Sequence, residues 1–133
     1  MTAHFLEGLF QRGLISRHTY RNLLQDVDRL RVPFGLLART HGLLTCENID
    51  AIFNAQQDSN KLFGEIAVEM GLLIDSQVAL LLDIQEFQLT CTTAQALAVS
   101  GEMGWGAALA ELSGFISRRP GEFQMHSYAL ASV

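Results

Sequence analysis

The sequence predicts an all-α fold made of tandem hairpins, each a short helix followed by a longer one. Three observations predict it. Apolar residues recur at helical spacing through most of the chain. Proline occurs only twice in 133 residues, so long stretches are free to stay helical. Phe34–Gln56 and Phe63–Gln85 follow one frame: Gly35 and Gly64, Gly42 and Gly71, Leu44 and Leu73, Gln56 and Gln85 all stand 29 residues apart. A fixed period with no slip marks a repeated supersecondary unit.

In chain order, Phe5, Leu6, Leu9 and Phe10 give the stretch from Thr2 to Gln11 one apolar stripe. Gly13 is placed to end that helix in a left-handed conformation, and Ser16 suits the N-cap of a second. Tyr20, Leu23, Leu24, Val27 and Leu30 form the core face of that second helix. Arg17, Arg21 and Gln25 fall on faces left to water, and Pro33 stops the helix. The run Leu9 to Ile15, with Tyr20 and Leu24, echoes the later frame, as a degenerate terminal copy would.

Two clear copies follow. In the first, Gly42 ends the short helix, Thr45 caps the long one, and Ile49, Ile52, Phe53 and Gln56 share a face. Gln57 to Lys61 form a polar connection. In the second, Phe63, Ile66, Ala67 and Met70 line the short helix and Gly71 ends it. Asp75 suits the next cap, and Val78, Leu81, Leu82 and Gln85 form the long face.

After Gln85 the pattern changes. Thr92-Thr93-Ala94-Gln95 reads as a capping box opening a helix through Leu97 and Val99 to Gly101. Gly104 and Gly106 bracket Trp105, and a last helix is expected over about 107–116, ended by Arg118-Arg119-Pro120-Gly121. The tail from Glu122 to Val133 leaves a short strand, an ordered arm and a frayed end open. The expected organisation is an N-terminal helical segment over 1–32, tandem repeats over 33–90, and C-terminal helices with the tail over 91–133.

Composition narrows the function classes. Net charge is −5, unevenly spread: residues 1–40 carry +3 and the remainder −8. The acidic balance and the lack of an arginine-rich recognition helix weigh against DNA binding by a helix-turn-helix. The one lysine, Lys61, follows no glycine loop of the phosphate-binding type. His4, His18, His41 and His126 stand alone, without metal spacing. Glu65 and Glu69 read as an exposed helix face. No catalytic or metal-ligating set emerges, so a non-enzymatic module is expected. Cys46 and Cys91 read as buried free thiols in a reducing cytoplasm.

The glycine and glutamine frame resembles the N-terminal domain of type II secretion and type IV pilus assembly ATPases, the GspE-N or MshEN family. That pattern is RLGxxLVxxGxIxxxxLxxxLxxQ, five residues, and the same again. Residues 33–85 fit its spacing, with Gln57 to Lys61 as separator. The resemblance implies a helical domain in which the two copies embrace the halves of cyclic di-GMP, and regulation by protein contact. It carries over Gly35, Arg39, Gly42 and Gln56 from the first copy and Gly64, Val68, Gly71 and Gln85 from the second as ligand-binding positions. Its apolar positions are Phe34, Ala38, Leu44, Ile49 and Phe53, then Phe63, Ala67, Leu73, Val78 and Leu82. The family's leading arginine is Pro33 in one copy and Leu62 in the other, and its valine is Arg39 in the first. Arg31 and Lys61 are the basic residues nearest the missing arginines. The alternative is a scaffold of the same fold that binds protein and no ligand. No cofactor is implied beyond that ligand. A cytoplasmic protein partner is expected, and apolar residues over Phe115–Phe123 or in the tail suit a homo-oligomer.

Overall fold

A computed structural model describes residues 1–118. They form seven helices and no strand: α1 (Thr2–Gln11), α2 (Arg17–Leu30), α3 (Phe34–Thr40), α4 (Cys46–Gln57), α5 (Phe63–Glu69), α6 (Asp75–Val99) and α7 (Trp105–Ser117). The all-α expectation holds for these residues. The expected tail strand or arm, and the Arg119-Pro120-Gly121 stop, lie outside them.

Local chemistry sets the helix ends. Ser16 accepts from the Thr19 N–H and caps α2. Thr45 and Asn48 form a reciprocal capping box at α4. Asp75 does not cap α6 but is its first residue, where a carboxylate favours the helix dipole. The N-terminal bond comes instead from Gln77, whose Oε1 accepts from the Ile74 N–H at 3.0 Å.

One turn recurs four times. Gly13, Gly42, Gly71 and Gly101 have φ of 73°, 73°, 73° and 80°. Each sits just beyond a helix end and donates to the carbonyl three residues back: Phe10, Arg39, Val68 and Ala98. In the first three turns the next residue, Leu14, Leu43 or Leu72, donates to the carbonyl five back, at 2.9 Å each time. This is a Schellman termination, which needs a left-handed residue and therefore glycine. In the fourth, Met103 donates to Leu97.

The repeat therefore does not stop at Gln85. A fourth copy follows, offset by 30 residues. Leu9, Ala38, Ala67 and Leu97 are equivalent and fully buried, and the equivalent Ile15, Leu44, Leu73 and Met103 just past the turns are buried too. The expected capping box at Thr92 does not form, because α6 runs unbroken from Asp75 to Val99. The threonines serve the helix interior instead. Thr90 Oγ1 donates to Glu86 O at 2.9 Å and Thr93 Oγ1 to Leu89 O at 2.8 Å, both fully buried. The short helix of the fourth copy is thus the end of α6, and its long helix is α7, which starts at Trp105 rather than Ala107.

The copies pair in a nested order and give two compact units. Copies two and three, Val32–Gln85, form one. Its core is Leu37, Ala38, Leu44, Ile52, Ile66, Ala67, Leu73 and Leu81. Copies one and four, Met1–Arg31 and the described residues from Glu86 to Arg118, form the other. Phe5, Leu6, Leu9, Ile15, Ala94, Leu97, Met103, Ala108 and Phe115 are buried there. Phe5 meets Phe115 edge-on at 5.3 Å, and Phe10 stacks on Tyr20 at 4.8 Å. Equivalent residues meet in this unit: Thr2 and Thr90 share a buried hydroxyl hydrogen bond of 2.8 Å. Arg12 holds Glu111 with both nitrogens of its fork, and Ser16 N donates to Glu102 at 2.9 Å. The cysteines differ from expectation, Cys46 being exposed and Cys91 half-buried.

Candidate functional site

The first glycines of the two clear copies lie inside α3 and α5, where those helices approach. A Cβ on Gly35 would stand 3.0 Å from Cζ of Phe63; one on Gly64 would stand 3.1 Å from Cγ1 of Val78 and 3.7 Å from Cζ of Phe34. Each phenylalanine thus covers the glycine of the other copy, and the rings meet at 5.8 Å, tilted by 59°. Absence of a side chain at both glycines permits this approach.

The glutamines show the same two-fold relation. Gln56 Nε2 donates to Lys61 O at 3.4 Å, and Gln85 Nε2 to Val32 O at 2.7 Å. Lys61 and Val32 are themselves equivalent, each lying two residues before its copy's phenylalanine. Each long helix therefore ties down the entrance to the other copy's short helix. The ties are unequal, since Gln85 is 7% exposed and Gln56 is only half-buried.

Beside this crossing lies an open groove of about 430 Å³, lined by Phe34, Leu62, Phe63, Gly64, Glu65, Val78, Leu82 and Gln85. Its surface is mostly hydrocarbon. Leu62 is 69% exposed and Leu82 48%, so large apolar side chains face water at its rim. At the position matching Leu82 in the other copy, Phe53 lies edge-on to Phe63 at 5.4 Å. The copies are thus alike in backbone and unlike in the side chains they offer.

Of the eight positions carried over by resemblance, Gly64 and Gln85 line the groove, and Gly35 lies beneath Phe63 at the crossing. Gly42 and Gly71 are turn residues on the exposed surface. Arg39 and Val68 give their carbonyls to those turns; the Arg39 side chain is exposed, and Val68 packs against the core. Neither substitute cation lines the groove. Arg31 belongs to the other unit and bonds Glu86. Lys61 pairs with Glu69, and that bond raises its pKa above the ordinary value. Leu62, which stands where the resembled family has its leading arginine, and Glu65, read from the sequence as part of an exposed helix face, also line the groove.

Glu65 is the one ionisable group among the lining residues. No cluster of three or more His, Cys, Asp or Glu side chains with metal-binding geometry occurs among the described residues. No helix among them is long and apolar enough to cross a membrane. No family model, curated protein or solved structure matches the chain.

Proposed function

We propose that the chain is a non-enzymatic interaction module, and that the groove beside the α3–α5 crossing holds an amphipathic segment of a protein partner. The observation that carries this reading is the lining. Five of its residues offer hydrocarbon side chains, and its charge is the single carboxylate of Glu65. That combination complements a segment presenting apolar side chains with a lysine or arginine beside them. It complements a nucleotide phosphate poorly, because no cation lines it, and Lys61 and Arg31, the basic residues nearest the missing arginines in sequence, hold Glu69 and Glu86.

A second reading, binding of cyclic di-GMP with regulation by protein contact, draws support from the two-fold arrangement of Phe34 with Phe63 and of Gln56 with Gln85. Under it, the exposed Arg39 is the cation available to a phosphate.

One titration separates the two readings. Amide chemical shifts of the full chain are followed against an amphipathic leucine–lysine peptide, its leucine–glutamate counterpart and cyclic di-GMP. The interaction reading expects the leucine–lysine peptide to move the amides of Leu62 to Glu65 and of Leu82, with Leu82→Glu abolishing the effect. Saturable shifts with cyclic di-GMP alone, weakened by Arg39→Ala, would establish the second reading and discard the first.

A further inference from the structure

The two-fold relation between copies two and three carries the groove's surface past its own lining. It takes Glu65 to Leu36, Leu82 to Phe53 and Gln85 to Gln56, each 29 residues apart. Phe34 and Phe63 exchange places, so they belong to both sides of the crossing. Phe63 shows this directly: it lines the groove and also meets Phe53 edge-on at 5.4 Å. The apolar surface therefore continues across the crossing. Leu62 and Leu82 stand exposed on one side, and Leu36 at 50% and Phe53 at 51% on the other.

The other unit shows that this exposure is no requirement of the repeat. Leu24 and Leu112 hold the position of Phe53 and Leu82 in copies one and four, and there both pack against the core. One frame position is thus covered in one unit and open in both copies of the other. Apolar side chains left open on both sides of a crossing mark a contact surface.

The two sides differ in charge. Glu65 lines the groove, and Asp75 stands one turn before the lining residue Val78 on α6. The second copy has Leu36 and Cys46 at those positions. It offers instead the exposed Arg39, one turn beyond Leu36 on α3, where the third copy has Val68. Among the described residues, none of Glu65, Asp75 and Arg39 enters an ion pair.

We infer that a single amphipathic segment of a protein partner crosses both sides in one direction, its basic end over Glu65 and Asp75 and its acidic end over Arg39. This rests on the interaction reading above and adds Leu36, Arg39 and Phe53 to the site. A segment without charge would leave all three ionised groups unpaired. The reversed segment would set like charges together, so the charges select the direction.

The test uses the full chain and a leucine-based peptide with lysines at one end and glutamates at the other. A nitroxide label is placed at either end in turn. Amides of Leu36 and Phe53 are expected to shift together with those of Leu62 to Glu65, with one affinity. The label at the lysine end is expected to broaden Glu65 and Asp75 most, and the label at the glutamate end Leu36 and Arg39. Leu36→Gln and Arg39→Glu are each expected to weaken binding about tenfold with unchanged helical circular dichroism. Shifts confined to Leu62–Glu65 and Leu82, equal broadening by both labels, or undiminished binding by both variants would overturn this inference and leave the interaction reading standing. No shift on either side would overturn both.

Discussion

Replacing Gln85 by leucine removes one hydrogen bond and little volume, and it tests whether the repeated glutamines hold the fold. Gln85 is 7% exposed and its amide donates to Val32 O at 2.7 Å. Losing the donor leaves a partly buried carbonyl without that partner, at a cost of about 1–3 kcal/mol. The equivalent bond from Gln56 is 3.4 Å long and on the exposed side, so Gln56→Leu should change stability by no more than about 0.5 kcal/mol. With a urea m-value of about 2 kcal/mol/M, a 2 kcal/mol loss lowers the midpoint by roughly 1 M. The assay is urea unfolding followed by far-UV circular dichroism, with both variants compared at matched m. A Gln56 variant as damaging as the Gln85 variant, or a Gln85 variant with an unchanged midpoint, would refute the reasoning from burial and distance.

Three other outcomes follow from the same geometry. Gly35→Ala brings a Cβ within 3.0 Å of the Phe63 ring and should cost about 1–3 kcal/mol by overpacking; adding Phe63→Leu should recover part of it in a thermal melt. Thr90→Val orphans the buried Thr2 hydroxyl and should cost about 1–3 kcal/mol, whereas Thr2→Val with Thr90→Val together should lie closer to wild type in urea unfolding. Glu102 is held below its ordinary carboxylate pKa of 4.5, first by the Ser16 N–H and then by Thr19. A depressed folded pKa means its contribution is complete above the unfolded value and fades as pH falls through the folded one. Glu102→Gln should therefore flatten the acid limb of a stability–pH profile.

Much of the fold was legible because local chemistry enforced it. Gly13 and Gly42 end their helices as their spacing predicts, and Ser16 and Thr45 cap the next ones. The unbroken α6 was not legible, for a physical reason. Its buried residues Leu81, Gln85, Leu89, Thr93 and Leu97 recur every four positions, and each such step drifts about 40° around the axis. The stripe therefore winds, and a fixed apolar face is lost. Polar residues within it read as a helix end at Gln85 and a new cap at Thr92-Thr93, but Gln85 and Thr93 each bond a backbone carbonyl.

The fourth copy was hidden in the same way. Phe115 stands where the frame calls for a glutamine, and the short helix has no start of its own. Gly101 with Leu97 and Met103, one residue out of the 29-residue period, was the available signal. At the site, spacing located Gly64 and Gln85 on the groove. It could not show that Gly42 and Gly71, which end their short helices as expected, stand apart from the groove lining, because a turn glycine and a ligand-facing glycine look alike in a sequence. Nor could it show that Lys61 and Arg31 already hold carboxylates.

The central structural claim is the nested pairing of four copies through one continuous helix. Carbon chemical shifts and nuclear Overhauser contacts in the labelled full chain test it most directly. The account predicts helical shifts without interruption from Asp75 to Val99, with contacts from Thr2 to Thr90 and from Phe5 to Phe115. A break in helical shifts near Thr92, or a first copy whose residues show no contact to Thr90 or Phe115, would contradict it.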